Sequence, residues 1–141
     1  MPDRRERQPA TQAAPYQKRR QGTNLAFAVI LVGLVAEVLV LYGPALRFSF
    51  LLDDSYDLVI VRQTSYRELL LRPLPGFSYY RPLSFALYKL VHDLWGGTEP
   101  WHYHLLSVSL HALNTLLLAL LIRKVAGLVA AALSASLFAA F

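Results

Sequence analysis

Cysteine is absent from the 141-residue chain, so neither a disulfide nor a thiolate metal site can form. Charge is scarce too. Only 16% of residues are charged while 55% are hydrophobic, the balance of a membrane protein rather than a soluble domain. Residues 24–46 hold a single charged side chain, Glu37. The net charge of +5 raises the question of nucleic acid, and its distribution answers it. Six of the 14 basic residues, Arg4, Arg5, Arg7, Lys18, Arg19 and Arg20, precede the first apolar run. Residues 47–101 are balanced, with six basic and six acidic side chains. A cytoplasmic flank obeying the positive-inside rule accounts for this pattern, and no nucleic-acid partner is expected.

The organisation follows from hydropathy and punctuation. Residues 1–23, rich in Arg, Gln, Pro and Ala, read as a disordered basic cytoplasmic tail. Residues 24–46 form the first transmembrane helix, since 23 residues suffice at about 1.5 Å each to cross a core of roughly 30 Å. A cleaved signal peptide would have a shorter apolar region, about 7–15 residues, and a small-residue cleavage site. This run instead ends at Tyr42-Gly43-Pro44. Residues 47–101 are too polar and Pro-rich to cross, so an external loop with short interfacial helices is expected there. Within it, Ser65-Tyr66-Arg67-Glu68 is a capping-box start, and Pro73 and Pro75 stop the run that follows. Pro82 suits the first turn of another helix, which should end at Gly96-Gly97. Residues 102–122 form a second transmembrane helix, stopped by Arg123-Lys124. Residues 125–141 form a third that the end of the chain cuts short. The fold class is an all-α, multi-pass integral membrane protein, with the tail and Arg123-Lys124 on the cytoplasmic face and the loop on the periplasmic or lumenal face. The short basic tail and Ala/Leu-rich spans suggest a bacterial inner membrane.

Several polar residues fall where lipid disfavours them. Asp53 and Asp54 follow the first span directly. One can cap a short helix starting at Ser55, but a cap does not need the second. Two adjacent carboxylates repel, which raises the pKa of at least one and suits a general base. Arg81, beside Tyr80, is either an interfacial arginine reaching for headgroups or a forked donor for a phosphate or diphosphate. Arg72 and Lys89 are weaker candidates of the same kind. His104, Ser107, His111 and Asn114 share one face of the second span and must meet protein or water; hydrogen bonds between helices are the plainest use of His111 and Asn114. His102 and His104, at the mouth of that span, are better placed to touch a substrate. No metal site is assigned. A divalent cation such as Mn²⁺ or Mg²⁺ suits imidazole and carboxylate, but histidines two apart give no standard ligand spacing. Glu37 is expected to pair with a helix outside this chain.

Phe50-Leu-Leu-Asp53-Asp54, Tyr80-Arg81-Pro82-Leu83, Trp95-Gly96, Pro100 and His102-Tyr-His104-Leu, with His111 and Asn114 beyond them, occur in an order that resembles the amino-terminal region of the GT-C membrane glycosyltransferases. The nearest likeness is to the transmembrane and tetratricopeptide-repeat O-mannosyltransferases, over roughly residues 48–122. The resemblance implies an inverting transfer of a sugar, such as mannose, from a polyprenyl-phosphate carrier to a protein, glycan or lipid acceptor. Asp53 or Asp54 would be the catalytic carboxylate, with Tyr80, Arg81, His102 and His104 binding substrate and a cation or arginine meeting the departing phosphate. It further implies an amino-terminal fragment, inactive alone, whose partners are the lipid-linked donor, membrane lipids and further transmembrane helices. The alternative is a small non-catalytic membrane protein that assembles with other spans, or a truncated inactive product.

Overall fold

The computed structural model describes residues 13–74, 79–97 and 99–141, with the side chains of residues 13–21 and 52–54 outside that description. Among the described residues the secondary structure is all helix, with short non-helical links and no strands. Helix α1 (Ala13–Tyr42) runs into a single 3₁₀ turn (Gly43–Arg47). Three shorter helices follow, α2 (Leu52–Gln63), α3 (Tyr66–Leu71) and α4 (Pro82–Trp95), and then the α5 (Pro100–Ala126) and α6 (Leu128–Ala139) pair. Two stretches are long and apolar enough to cross a membrane, Gly22–Arg47 and Pro100–Ala126. Only 17% of each apolar window is buried inside the protein, so most of that surface faces outward, as lipid would favour.

Helical structure starts earlier than expected. The segment from Ala13 is helical, although it belongs to the basic stretch read as disordered. Helix α5 likewise begins ahead of residue 102 and runs past Arg123 and Lys124, ending at Gly127. There φ is +89° and ψ −175°, a combination nearly confined to glycine, and it reverses the chain into α6 with no intervening loop. Arg123 and Lys124 thus occupy the last turn of α5, where the helix dipole favours cations.

Helices α1, α5 and α6 form the larger core. Phe27 and Leu34 of α1 bury against Ala119 of α5 and against Ala131 and Ala135 of α6. One layer further, Val38, Val108 and Ala139 meet. Ala131, Ala135 and Ala139 recur every four residues and are fully buried. Their small side chains let the backbones approach closely, which drives helix association where lipid removes the hydrophobic effect. Polar contacts close both ends. The Arg123 guanidinium donates to Asn24 Oδ1 at 2.6 Å and lies 4.1 Å over the Phe27 ring, joining the start of α1 to the end of α5. Deeper in, Ser136 Oγ donates to Glu37 Oε1 at 2.9 Å. Glu37 therefore has its partner on α6 of this same chain, which corrects the expectation of a helix from elsewhere.

The connecting helices build a second, smaller core on the start of α5. Leu58, Val91 and Tyr103 form one cluster, and Val61, Leu69 and Phe85 another. Helix α3 opens with the expected capping box: the Ser65 hydroxyl accepts from the Glu68 N–H, and the Ser65 N–H donates to Glu68 Oε2 at 3.1 Å. The Ser65 hydroxyl also donates to Glu68 Oε2 at 2.7 Å, and this bond first, then that from the Ser65 N–H, holds the Glu68 carboxyl below its usual range. Pro82 starts α4 and Gly96, with φ +79°, ends it.

Candidate functional site

The relative direction of α2 and α4 decides which candidate residues can meet. Leu58 of α2 packs with Val91 of α4, and Val61 with Phe85, so the two helices run antiparallel. The first turn of α2 therefore lies at the end of α4 that meets α5. Two contacts fix the chain leading into that turn. The Phe50 ring stands edge-on to Tyr103 at 5.6 Å, and His104 Nε2–H donates to the Phe48 carbonyl at 3.2 Å. Helix α2 begins at Leu52, so Asp53 and Asp54 are inside its first turn rather than capping a helix from Ser55. Their side chains lie outside the described residues. Carboxylates in a first turn are favoured by the helix dipole.

A groove of about 260 Å³ opens between the end of α1 and the first half of α5, lined among others by Tyr42, His104, Ser107, His111 and Phe141. The histidines are tied to backbone. His111 Nε2–H donates to the Ala139 carbonyl at 3.1 Å, with Tyr42 edge-on at 4.9 Å and Phe138 stacked at 5.3 Å. A carbonyl can only accept, so both His104 and His111 carry the proton on Nε2 and leave Nδ1 as the acceptor when neutral. The expected interhelical bond of His111 is thus present, whereas Asn114 is exposed and makes none.

His102 takes a different position. Two residues from His104 on one helix, it points to another side, where Trp95 stacks at 5.4 Å and Trp101 lies tilted at 3.9 Å. Tyr80 and Arg81 stand further off. Tyr80 donates its hydroxyl to the Leu70 carbonyl, and the Arg81 guanidinium lies 4.7 Å over the Tyr79 ring at the start of α4. The 14 residues of α4 separate them from the Trp95–His102 contact, roughly 20 Å along the helix. The candidate residues consequently form two groups: Asp53, Asp54 and His104 at the junction with α5, with His102 on its other flank, and Tyr80 with Arg81 at the distal end. Among the described residues no three of His, Asp and Glu come together as a metal site.

One cluster escaped the sequence analysis. Asp93 accepts from Tyr66 Oη at 2.9 Å, lies 3.1 Å from His92 Nδ1 and pairs with Lys89 at 3.7 Å. Lys89 also reaches the Val61 carbonyl at 3.4 Å, so the cluster ties α2, α3 and α4 together. The Lys89–Asp93 spacing of four was the available signal; Tyr66, 27 residues before Asp93, gave none. The hydrogen bond from His92, then that from Tyr66, holds the Asp93 carboxyl below its usual range, and the Lys89 charge adds to this. A carboxyl whose pKa is lowered by folding stabilises the fold above its unfolded pKa and loses that contribution as pH falls through the folded value. The thermal midpoint of the wild-type protein should therefore drop more steeply than that of Asp93→Asn as pH is lowered from about 5 to about 3. Parallel curves would remove Asp93 as the acid-sensitive tie.

Comparison with protein-family models, with curated proteins and with solved structures finds no match.

Proposed function

We propose that this chain is the amino-terminal part of an inverting membrane glycosyltransferase of the GT-C type, using a polyprenyl-phosphate sugar. The observation that carries this is the adjacent pair Asp53-Asp54, in the first turn of a helix that follows an apolar span and whose lead-in is held by His104 through the Phe48 carbonyl. One aspartate takes the proton from an acceptor hydroxyl as its oxygen bonds to the anomeric carbon. The bond from that carbon to the carrier phosphate breaks, and the phosphate leaves with the electron pair. The anomeric carbon inverts through an oxocarbenium-like state. Positive charge is needed beside the leaving phosphate. Arg81 stands at the distal end of α4, and Arg47, exposed in the turn that precedes α2 in the chain, is the donor we assign to it. The cytoplasmic tail and the Arg123–Asn24 contact fit one membrane face and the connecting segment the other, in a bacterial inner membrane. Three apolar helices cannot enclose both donor and acceptor, so further spans complete the site.

The test uses native membranes in which the chromosomal gene carries Asp53→Asn, Asp54→Asn or both, with Glu68→Gln as control. Transfer of labelled sugar from a polyprenyl-phosphate donor to endogenous acceptors is measured at matched protein level. Loss of transfer in the double variant supports the assignment; wild-type transfer in all three overturns it. A second reading, a non-catalytic assembly subunit, is favoured by the exposed Asn114 within α5 and predicts that the aspartates are dispensable.

A further inference from the structure

The end of α5 away from the α4–α5 elbow gathers cations without counter-charge. Lys18, Arg19 and Arg20 precede Asn24 by four to six residues on the unbroken helix α1, roughly 6–9 Å beyond it. Asn24 Oδ1 accepts from Arg123, so the last turn of α5, with Arg123 and Lys124, ends at the same level. The chain has no acidic residue between Arg7 and Glu37 and none after Glu99. Among the described residues neither Arg123 nor Lys124 has a carboxylate within ion-pair reach. Arg123 is half-buried, and its guanidinium, with five N–H donors, meets a neutral amide oxygen and the face of Phe27.

We infer that Lys18, Arg19, Arg20, Arg123 and Lys124 form a binding surface for anionic phospholipid headgroups of the phosphatidylglycerol type. Three arguments select that partner. The first is depth. The apolar stretches of α1 and α5 meet their boundary here, and the headgroup layer outside the hydrocarbon is roughly 5–8 Å thick, so these cations lie at the level of lipid phosphate. The second is charge. The carboxyl end of α5 supplies only about half a negative charge, against two cations on α5 and three on α1. A phosphate supplies the missing charge and matches the forked Arg123 guanidinium. The third concerns any further spans of the same protein. By the positive-inside rule their flanks on this face carry more Lys and Arg, which adds to the charge instead of neutralising it. Helix α1 also matters in itself: it holds Lys18, Arg19 and Arg20 near the boundary, where a free basic tail would disperse them in water. None of these residues is assigned to sugar transfer, so the two proposals fail independently.

The absence of cysteine lets a fluorophore be placed at one position. Val125→Cys, beside Lys124 and 80% exposed, reports on the cationic end. Leu105→Cys, also exposed and roughly 30 Å away along α5, is the control. The purified, labelled protein is reconstituted in phosphatidylcholine vesicles doped with spin-labelled phosphatidylglycerol or, at equal density, spin-labelled phosphatidylcholine. At Val125 the anionic lipid should be preferred roughly fivefold or more, the worth of one cation near an anionic surface, and at Leu105 the two lipids should quench alike. Changing Lys18, Arg19, Arg20 and Lys124 together to Gln leaves the Arg123–Asn24 tether in place and should bring the preference below about twofold. Salt at about 1 M, where screening acts within about 3 Å, should do the same to the otherwise unaltered protein. Free inorganic phosphate at constant ionic strength should leave the preference intact. Equal quenching at Val125, the same preference at Leu105, its survival in the Gln variant or in high salt, or its loss to free phosphate would each overturn the anionic-lipid surface.

Discussion

Replacing both Asp53 and Asp54 with asparagine is expected to lower sugar transfer by about 10²–10⁴-fold, the range removed with a general base. Asparagine keeps nearly the same shape and can still occupy the first turn of α2, so the membrane level and the packing of Phe50 on Tyr103 should persist. The single variants should differ from one another. Successive positions on a helix diverge by about 100°, so the two are not equivalent, and one is expected to carry most of the rate effect. The other has the helix dipole as its reason to be there, and its loss should cost stability of the first turn, about 0.3–1 kcal/mol, with little effect on rate. Equal and large losses in both singles would instead indicate that the pair shares one proton and works as a unit. The discriminating readout is single-turnover transfer at saturating donor, which separates the chemical step from binding.

Gly97→Ala should be the most disruptive single change to the fold. Gly97 has φ +66°, and a methyl group there would land on the His92 ring at Cδ2. The backbone term alone costs about 1–2 kcal/mol for an L-residue. The ring cannot move aside freely, because its Nδ1 is held by Asp93. Together these should loosen the α4–α5 elbow by about 2–3 kcal/mol, a rise of roughly 30- to 160-fold in hydrogen exchange at the Val91 amide. The neighbouring Gly96 provides the control: φ is +79°, but nothing lies near an added methyl. Gly96→Ala should therefore show the backbone cost alone. Removing the ring with His92→Ala should recover the difference between the two glycines, less the Asp93 contact. Equal exchange rates in the two alanine variants would show that the His92 contact contributes nothing.

The apolar helices were legible because composition within residues 24–46 and 105–122 admits little else. The capping box at Ser65–Glu68 and the Pro82 and Gly96 boundaries of α4 were legible because each rests on chemistry within four residues. Helix α2 was harder. The β-branched run Val59-Ile60-Val61 disfavours a helix locally, and the burial of Leu58 and Val61 against α4 overrides it. The separation of Arg81 from the aspartates was hidden for a different reason. Sequence proximity puts both in one loop, whereas the antiparallel alignment of α2 and α4 sets which ends coincide. The partner of Glu37 had no local signal at all, since Ser136 lies 99 residues on.

That span of 99 residues occurs twice, in Ser136–Glu37 and again in Arg123–Asn24. These two polar tethers of α1 thus join it to residues made much later. At a synthesis rate of about 5–20 residues per second, α1 waits roughly 5–20 s in the bilayer before its carboxyl and its flanking amide find their partners. The α5–α6 hairpin, joined through Gly127 alone, needs no such wait. During that interval the nascent first helix is the part of the protein most open to capture by membrane quality control. An insertion chaperone that shields Glu37 would then matter for yield, and not for the finished fold.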